Sequence, residues 1–467
     1  MSERNHVSAV REATETLGVE EAPGDPPGLP SKPVRIFQSI NLNMASVSLG
    51  LTLAIVGPTL LDISELLKIS VAQMSYVAFS GDFGAFVGSF LATPLFATFN
   101  AQRVIITCML CCGIFNILIP HGSTPLMVAS FAFLNGCFFG VQEIGVYVWL
   151  VGIWRDHVSP AIQLLHLMYG IGALFAPLIA EPFLSSESYF GDESPELSDA
   201  SNVTSGYMEG LPSRVHIPYA IIGSTFLLTA FLMSISFCLD SRDIRPQKDS
   251  KKSSSSGSTN RMFEWALVFL VGFYTLIDVT LEACFSKFIS VYAVTEHRFS
   301  KSSAAFLTSL CYGGFTAARV LAVPLSYKLT PMHLMIIGQC VLLVAAFALA
   351  FLTHWAESVL WIACCMLGAG LSPLYGSCTA WVSNHVTLSH DYVSIILILT
   401  CSGALIPPVI VGHYIESNPS VLMYVVLACG LAMSVNLAVM HLAVKLFHRD
   451  RNEIAEPNLE RVRRFSL

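Results

Sequence analysis

Two carboxylates interrupt a long apolar run in the second half of this chain, close enough together to bind a proton or a cation. Asp278 and Glu282 are four residues apart and lie on one face of a helix, and Tyr274 extends that face by one turn. Both acids repel each other when charged, which suits a pair that carries a proton, although a bound cation could keep both ionised. Alternatively, they pair with Arg319 or with hydroxyl groups and only brace the structure.

A second polar group lies in the first half of the chain. Gln142 and Glu143 are adjacent, and Tyr147 is on the same helical face as Glu143, four residues on. An ionisable group inside an apolar run is costly, so it is a functional candidate by default. Glu143 is therefore a third candidate ion-coupling residue beside Asp278 and Glu282, and Gln142 and Tyr147 are candidates for binding solute hydroxyls.

Further candidates are amide, imidazole and aromatic side chains. Gln163, His166 and Tyr169 follow one another at intervals of three residues and line one face of a helix. We expect this trio to bind a polar solute. Aromatic residues that could stack on a sugar ring, or simply pack in the core, are Tyr274, Tyr312, Tyr375 and Trp381.

Two other charged residues lie within apolar runs. Asp82 is midway along one run, and Arg319 is in the last third of another. We assign both to a gate or to structural pairing, since each could hold a helix contact or extend its charge toward the membrane surface.

The composition indicates that these residues lie in membrane helices. The chain has 467 residues, 54% hydrophobic and 12% charged, whereas soluble proteins carry about 25% charged residues. Stretches of about 20 apolar residues can cross a bilayer, and they must be helical because lipid offers the backbone no hydrogen-bond partners. We predict twelve spans, at 38–61, 71–95, 103–120, 124–151, 159–183, 217–239, 263–290, 303–325, 331–353, 357–382, 392–414 and 420–447.

Basic residues predict the orientation of these spans. With the N-terminus in the cytoplasm, nineteen of the 25 lysines and arginines fall inside, five outside, and Arg319 within the membrane. Asn202 begins an Asn-Val-Thr glycosylation sequon in the loop that this topology places outside. We therefore expect a multi-pass plasma-membrane protein with both termini in the cytoplasm and a glycan on Asn202.

Two short phrases occur twice at nearly the same offset and predict a duplicated bundle. Gly172-Ala-Leu-Phe-Ala-Pro recurs as Gly403-Ala-Leu-Ile-Pro-Pro, and Leu91-Ala-Thr-Pro-Leu recurs as Leu321-Ala-Val-Pro-Leu. The chain then divides into a disordered N-terminal tail, a first six-helix bundle, a linker, a second six-helix bundle and a C-terminal tail, at 1–36, 37–240, 241–262, 263–447 and 448–467.

The repeat, the twelve spans and the linker together resemble the major facilitator superfamily. Local phrases resemble its branch of sodium-dependent glucose transporter-like proteins, which is related to fucose permeases. These phrases are Gly57-Pro-Thr-Leu-Leu-Asp62, Ile153-Trp154, Gln163-Leu-Leu-His166, Gly172 to Ala180, and Leu307-Thr-Ser309 running on to Arg319.

The resemblance implies an all-α membrane protein with two pseudo-symmetric six-helix bundles that carries a sugar or a similar solute. Where that branch has an Asp-Thr-Gly-Gly-Asn phrase, this chain has Glu143-Ile-Gly-Val-Tyr147. The acid is kept as Glu143, and a tyrosine replaces the amide that could hold a sugar hydroxyl.

We therefore predict a secondary active transporter that works by alternating access and is coupled to sodium or protons. Two rival hypotheses are a transporter of organic anions, which the acids of the central spans disfavour, and a transporter-shaped receptor or scaffold. No nucleophile–base pair or phosphate loop indicates an enzyme. We expect a monomer in the lipid bilayer, with a small polar solute, no nucleic acid partner and no cofactor beyond the coupling ion.

Overall fold

The computed structural model describes residues 30–154, 158–185, 212–243, 258–386 and 390–465, and every regular element there is a helix. The first half contains α1 (Lys32–Leu67), α2 (Val71–Thr98), α3 (Ala101–Leu118), α4 (Pro125–Trp154), α5 (Val158–Ala180) and α6 (His216–Leu239), with 3-10 turns at Ile119–His121 and Glu181–Phe183. The second half contains α7 (Ser258–His297), α8 (Lys301–Ser326), α9 (Pro331–Phe351), α10 (Glu357–Leu371), α11 (Leu374–Ser383), α12 (His390–Ser402), α13 (Ile406–Tyr414) and α14 (Val421–Phe465).

Eleven stretches of helix in the described residues are long and apolar enough to cross a membrane. The predicted span 71–95 is not among them, because Asp82 and several small polar residues lower the hydropathy of α2. That helix is nevertheless 28 residues long, and its exposed side chains include Phe83, Phe90 and Leu91. An exposed apolar surface on a helix of this length is what contact with lipid requires. The all-α, multi-pass architecture is confirmed.

Two predicted spans of the second half are each divided into two helices. The span 357–382 breaks between α10 and α11 at Pro373, which has no N–H to continue the helical hydrogen bonds. The span 392–414 breaks between α12 and α13 at Gly403, and α13 begins with prolines, which suit the first turn of a helix. α11, α12 and α13 all contact α7, so both breaks lie beside the helix that carries the candidate acids.

Within the first half, α2 and α4 pack with their backbones in close contact. Gly84 and Gly88 of α2 face the main-chain carbonyls of Phe133 and Cys137 on α4, and a side chain at either glycine would overlap them. Small residues allow this approach between membrane helices. α1 packs on α5 and α3 on α6 to complete the first half.

The two halves meet chiefly along three pairs of helices: α1 with α7, α5 with α8, and α2 with α13. The repeated phrases occupy equivalent places in the two halves. Pro94 is in α2 and Pro324 in α8, the second and eighth predicted spans; Gly172 is in α5 and Gly403 divides the eleventh.

Several sequence predictions fall outside the described residues. These are the tail up to residue 29, Asn202 with its sequon, and linker residues 244–257. α7 begins at Ser258, within the segment assigned to the linker, and α14 continues to Phe465, through most of the segment assigned to the C-terminal tail.

Candidate functional site

Polar side chains from both halves meet in the middle of the bundle, and we call this set the central site. The first half contributes Glu143 and Tyr147 from α4 and His166 and Tyr169 from α5; the second half contributes Asp278 and Glu282 from α7, Tyr312 and Arg319 from α8, and Tyr375 from α11. The i, i+4 spacing of Glu143 with Tyr147, and of Asp278 with Glu282, places each pair on one helix face.

Tyr147 and His166 form the best-defined contact of the first half. The tyrosine Oη lies 2.6 Å from His166 Nε2 and 3.2 Å from Nδ1, and either partner can donate, depending on the histidine tautomer. The His166 ring also lies 6.5 Å, centroid to centroid, from the ring of Tyr375 in the second half. These three side chains therefore span the interface between the halves.

A hydrogen bond crosses the same interface between α5 and α7. The Tyr169 hydroxyl donates to Glu282 Oε1 over 3.3 Å. This contact joins a predicted solute-binding residue to a predicted ion-coupling acid, so the two predicted roles meet in one place.

Asp278 and Arg319 are both nearly buried, at 5% and 6% exposure, but they do not form an ion pair. Among the described residues, neither Asp278 Oδ1 nor Arg319 Nε has a hydrogen-bond partner, and the Arg319 guanidinium lies 4.9 Å from the centre of the Phe315 ring. The alternative in which Asp278 pairs directly with Arg319 is therefore absent from this conformation. Buried charges without partners are costly, so both side chains offer binding capacity to a solute, ion or water.

Glu143 lies about two-thirds of the way along α4, within the apolar run, yet its side chain is exposed, while its neighbour Gln142 is fully buried. Its helix face is that of Tyr147, which contacts His166 at the interface between the halves. We conclude that Glu143 borders the space between the halves, within electrostatic reach of Glu282.

Three predicted solute-binding residues make no hydrogen bond or ring contact with the central site among the described residues. The Tyr274 hydroxyl is fully buried and donates to Gln339 Oε1 of α9 over 3.1 Å. Trp381 is buried and its ring lies 4.5 Å from that of His385 on the same segment. Neither Gln142 side-chain polar atom has a hydrogen-bond partner among the described residues, and no contact places Gln142 with Tyr147.

Gln163 and Tyr312 are the two remaining predicted solute-binding residues. Gln163 is partly exposed on α5, one turn before His166, with which it shares a face. Tyr312 is buried, and together with Glu282 it lines a small cavity whose other wall includes Cys311 and Gly368. Its hydroxyl has no hydrogen-bond partner among the described residues.

A second polar cluster, which sequence reasoning missed, closes one end of the bundle. Lys301 Nζ at the start of α8 lies 2.8 Å from Asp62 Oδ1 and 2.6 Å from Glu65 Oε2, both near the end of α1. The main-chain N–H of Ser185 donates to Asp62 over 2.8 Å, and the Ser213 hydroxyl donates over 2.5 Å. We call Asp62, Glu65, Ser185, Ser213 and Lys301 the end cluster; Asp62 in the Gly57–Asp62 phrase was its one signal in the sequence.

Further contacts between the halves lie near the end cluster. Asp82, predicted as a gate or structural residue, forms an ion pair with Lys287 of α7. The Ser302 hydroxyl at the start of α8 donates to Glu181 Oε1 over 2.5 Å. The two halves are thus tied together by charge from the end cluster toward the centre.

The opposite end of the bundle is different. There the Asn100 amide donates to the Ser241 carbonyl within the first half, over 3.0 Å, and the Tyr392 hydroxyl donates to Glu264 within the second half, over 3.0 Å. Each of these two bonds lies within one half. The end cluster, by contrast, joins the two halves directly, so the conformation is closed at that end.

The sequence also matches known proteins over most of its length. Sodium-dependent glucose transporter 1 of Homo sapiens is 25% identical over 419 residues, which cover 87% of this chain and 80% of that protein. Sodium-dependent glucose transporter 1A of Mus musculus is 25% identical over 430 residues, covering 90% and 99%. Major facilitator superfamily domain-containing protein 4A of Homo sapiens is 23% identical over 472 residues, covering 86% and 90%.

Solved structures share the fold. A bacterial homologue of the human lysosomal transporter Spinster, in an inward-facing and unoccupied conformation, has a TM-score of 0.64 at 12% identity, covering 90% of this chain and 99% of that chain. The nucleoside transporter NupG has a TM-score of 0.58 at 14% identity, covering 88% and 99%.

The family model of the Major Facilitator Superfamily matches residues 42–408, which is more than half of the chain. Together with the relatives and the fold, this match confirms the prediction of a transporter and not an enzyme. The chain is a member of the major facilitator superfamily, a multi-pass membrane transporter.

Proposed function

We propose that this protein is a secondary active transporter that moves a sugar, or a similar small polar solute, by alternating access. The observation that carries the proposal is the central site, where polar groups of both halves face each other while one end of the bundle is closed. Rocking of two halves about a midplane site is the general mechanism of such folds. The relatives named as sodium-dependent glucose transporters support a sugar as the solute.

The solute would be held between Tyr147, His166 and Tyr375. Hydroxyl and imidazole groups both donate and accept hydrogen bonds, which matches the hydroxyls of a sugar. A buried polar site also rejects solutes that leave its groups unpaired. Gln163 and Tyr169, one turn away on the same face of α5, would extend this contact surface.

Coupling to a sodium ion or a proton would fall to Asp278, Glu282 and Glu143. The unpartnered oxygen of Asp278 supports this role, because a cation or a proton would satisfy it. Glu282 is linked to the solute site through Tyr169, so ion occupancy and solute binding would act on the same contact.

The proposed topology puts both termini in the cytoplasm, with Asn202 glycosylated outside and the protein a monomer in the plasma membrane. The end cluster would then face outside, and the conformation described above would be closed on that side. The excess of basic residues on the opposite side supports this orientation.

The test is uptake of labelled glucose, fucose and a panel of small polar solutes into proteoliposomes. Each would be measured with a sodium gradient, a proton gradient and no gradient, for the wild type and for Asp278→Asn and Glu143→Gln. Glu357→Gln is the matched control, since Glu357 is an exposed acid outside the central site.

We expect one gradient to accelerate sugar uptake, and the two central variants to lose that acceleration while the control keeps it. Normal, gradient-dependent uptake by both central variants would overturn the assignment of the coupling residues. If folded wild-type protein takes up no member of the panel, the sugar proposal fails and the non-transporting receptor gains support.

A further inference from the structure

Asp278 and Arg319 lie at the same depth on two neighbouring antiparallel helices. Asp278 is nineteen residues before the end of α7 at His297, and Arg319 is eighteen residues after the start of α8 at Lys301. At 1.5 Å per residue, both are about 27–29 Å from the short turn that joins the helices. An acceptor and a donor of opposite charge therefore lie side by side in the second half.

Asp278 and Arg319 nevertheless do not form an ion pair with each other. Among the described residues Arg319 makes no hydrogen bond or ion pair, and its guanidinium lies over the face of the Phe315 ring. Asp278 likewise makes no hydrogen bond there. Structural ion pairs in a membrane interior form direct contacts because an unpaired charge is costly, so this arrangement is not that of a brace.

Arg319 also faces the other half of the bundle. Its charge acts on Tyr147 of α4 and on His166 of α5, as well as on Asp278 and Glu282 of its own half. A solute held against Tyr147 and His166 would therefore lie next to the guanidinium. The sequence assigned Arg319 to a gate or to structural pairing, and the end cluster lies near the other end of α8.

The hydrogen-bonding groups of Arg319 and Asp278 determine which solute can bind between them. A guanidinium has five N–H donors and no acceptor, whereas an ionised carboxylate only accepts. Adjacent hydroxyl groups satisfy both, since one accepts from Arg319 while the next donates to Asp278. An acidic group would be repelled by Asp278, Glu282 and Glu143. An ammonium group placed against Arg319 would be repelled by the guanidinium and has no acceptor for its N–H groups.

We propose that Arg319 is a solute-binding residue, and that Arg319 and Asp278 together select an uncharged solute with adjacent hydroxyl groups. The inference rests on the proposed function. It adds Arg319 to the solute site and a preference for uncharged solutes. Arg319 is then a specificity residue, and Asp278 contacts the solute as well as the coupling ion.

The test uses three sugars of one ring shape and different charge: glucose, glucuronate and glucosamine. Binding is read from the increase in the unfolding midpoint of the purified full-length protein with sugar concentration, which does not require transport. The variants are Arg319→Gln, Arg319→Lys and Asp278→Asn. Arg103→Gln is the control, because Arg103 is an exposed arginine packed on Phe237, outside the central site.

The wild type and the control should bind glucose more tightly than either charged sugar. Arg319→Gln should weaken glucose binding about tenfold, since hydrogen bonds to charged groups are worth that much or more, and should favour glucosamine relative to glucuronate. Asp278→Asn should shift the preference the other way, toward glucuronate. Arg319→Lys keeps the charge, so it should preserve the ranking and lose part of the affinity.

Rankings that are identical in all variants would overturn the inference while glucose uptake by the wild type left the proposed function standing. A wild type that binds glucuronate more tightly than glucose would overturn the uncharged class in favour of an organic anion. If Arg319→Gln does not fold, Arg319→Lys and Asp278→Asn still decide the outcome, since unchanged glucose affinity in both contradicts the proposal.

Discussion

Tyr169 on α5 donates a hydrogen bond to Glu282 on α7 over 3.3 Å, and this contact joins the two halves of the bundle at its centre. The halves cannot separate here without breaking it. Because Glu282 is also within electrostatic reach of Glu143 and Asp278, the bond couples the relative position of the halves to the charge of three acids.

Tyr169→Phe removes this donor and leaves the half-buried Glu282 carboxylate with one partner fewer. A hydrogen bond to a charged group contributes about 1.5–3 kcal/mol, so we expect gradient-driven uptake to fall about tenfold or more. Tyr424→Phe is the control, since Tyr424 is an exposed tyrosine on α14. Uptake by Tyr169→Phe at the control rate, in equal amounts of folded protein, would show that the bond has no part in transport.

Lys301→Met should open the end cluster. It leaves the fully buried Asp62 without its cation, and breaking one partner of a buried ion pair costs about 3–5 kcal/mol. The closed arrangement should become less populated, and native Cys311, buried one-third of the way along α8, should react faster with a membrane-impermeant thiol reagent. Mass spectrometry of the Cys311 peptide measures the rate.

Lys328→Met, at the opposite end of α8, is the matched control for Lys301→Met. The double variant Asp62→Asn with Lys301→Met should recover part of the protection, because the fully buried carboxylate is then neutral and only the more exposed Glu65 is left without its cation. Equal Cys311 reactivity in the wild type, the single variant and the control would mean that the end cluster does not hold the bundle closed.

Gly84→Ala should destabilise the first half. A methyl group there overlaps the Phe133 carbonyl of α4, so α2 and α4 must move apart, at a cost of about 1–3 kcal/mol. Gly376→Ala adds the same methyl group where no atom lies within 4 Å, and should be neutral or slightly stabilising. Thermal unfolding midpoints compare the two; equal midpoints would contradict the close packing.

Tyr274→Phe separates a structural residue from a solute-binding one. Its hydroxyl donates to Gln339, so its loss should lower the free energy of unfolding by about 1 kcal/mol. Solute affinity should stay at the wild-type value, whereas His166→Phe, in the central site, should weaken it. A loss of solute affinity in Tyr274→Phe that matches the loss in His166→Phe would show that Tyr274 binds the solute.

Local patterns were sufficient to predict most of the helices. The apolar runs determine where membrane helices lie, because a bilayer imposes a minimum length and a helical backbone. α2 shows the limit of hydropathy, since Asp82 and its small residues make it less apolar than the others although it occupies a predicted span. The breaks at Pro373 and Gly403 lie within apolar runs, so hydropathy alone predicted one span where the structure has two helices.

Local spacing predicted the positions of some single side chains and missed those of others. Spacing placed Asp278 and Glu282 on one face, because i, i+4 geometry is local. It could not tell that Gln142 is fully buried while adjacent Glu143 is exposed, since a membrane helix that is apolar nearly all round carries little information about which face looks inward.

The membrane class, the repeat and the candidate polar residues all followed from the order of residues along the chain. Their partners came from the packing of the helices: Lys301 with Asp62, 239 residues away, Tyr169 with Glu282, and Tyr274 with Gln339. The physical reason is that helix formation and face sharing depend on near neighbours in the chain. Partners across the bundle depend on how whole helices pack, and no local pattern encodes that.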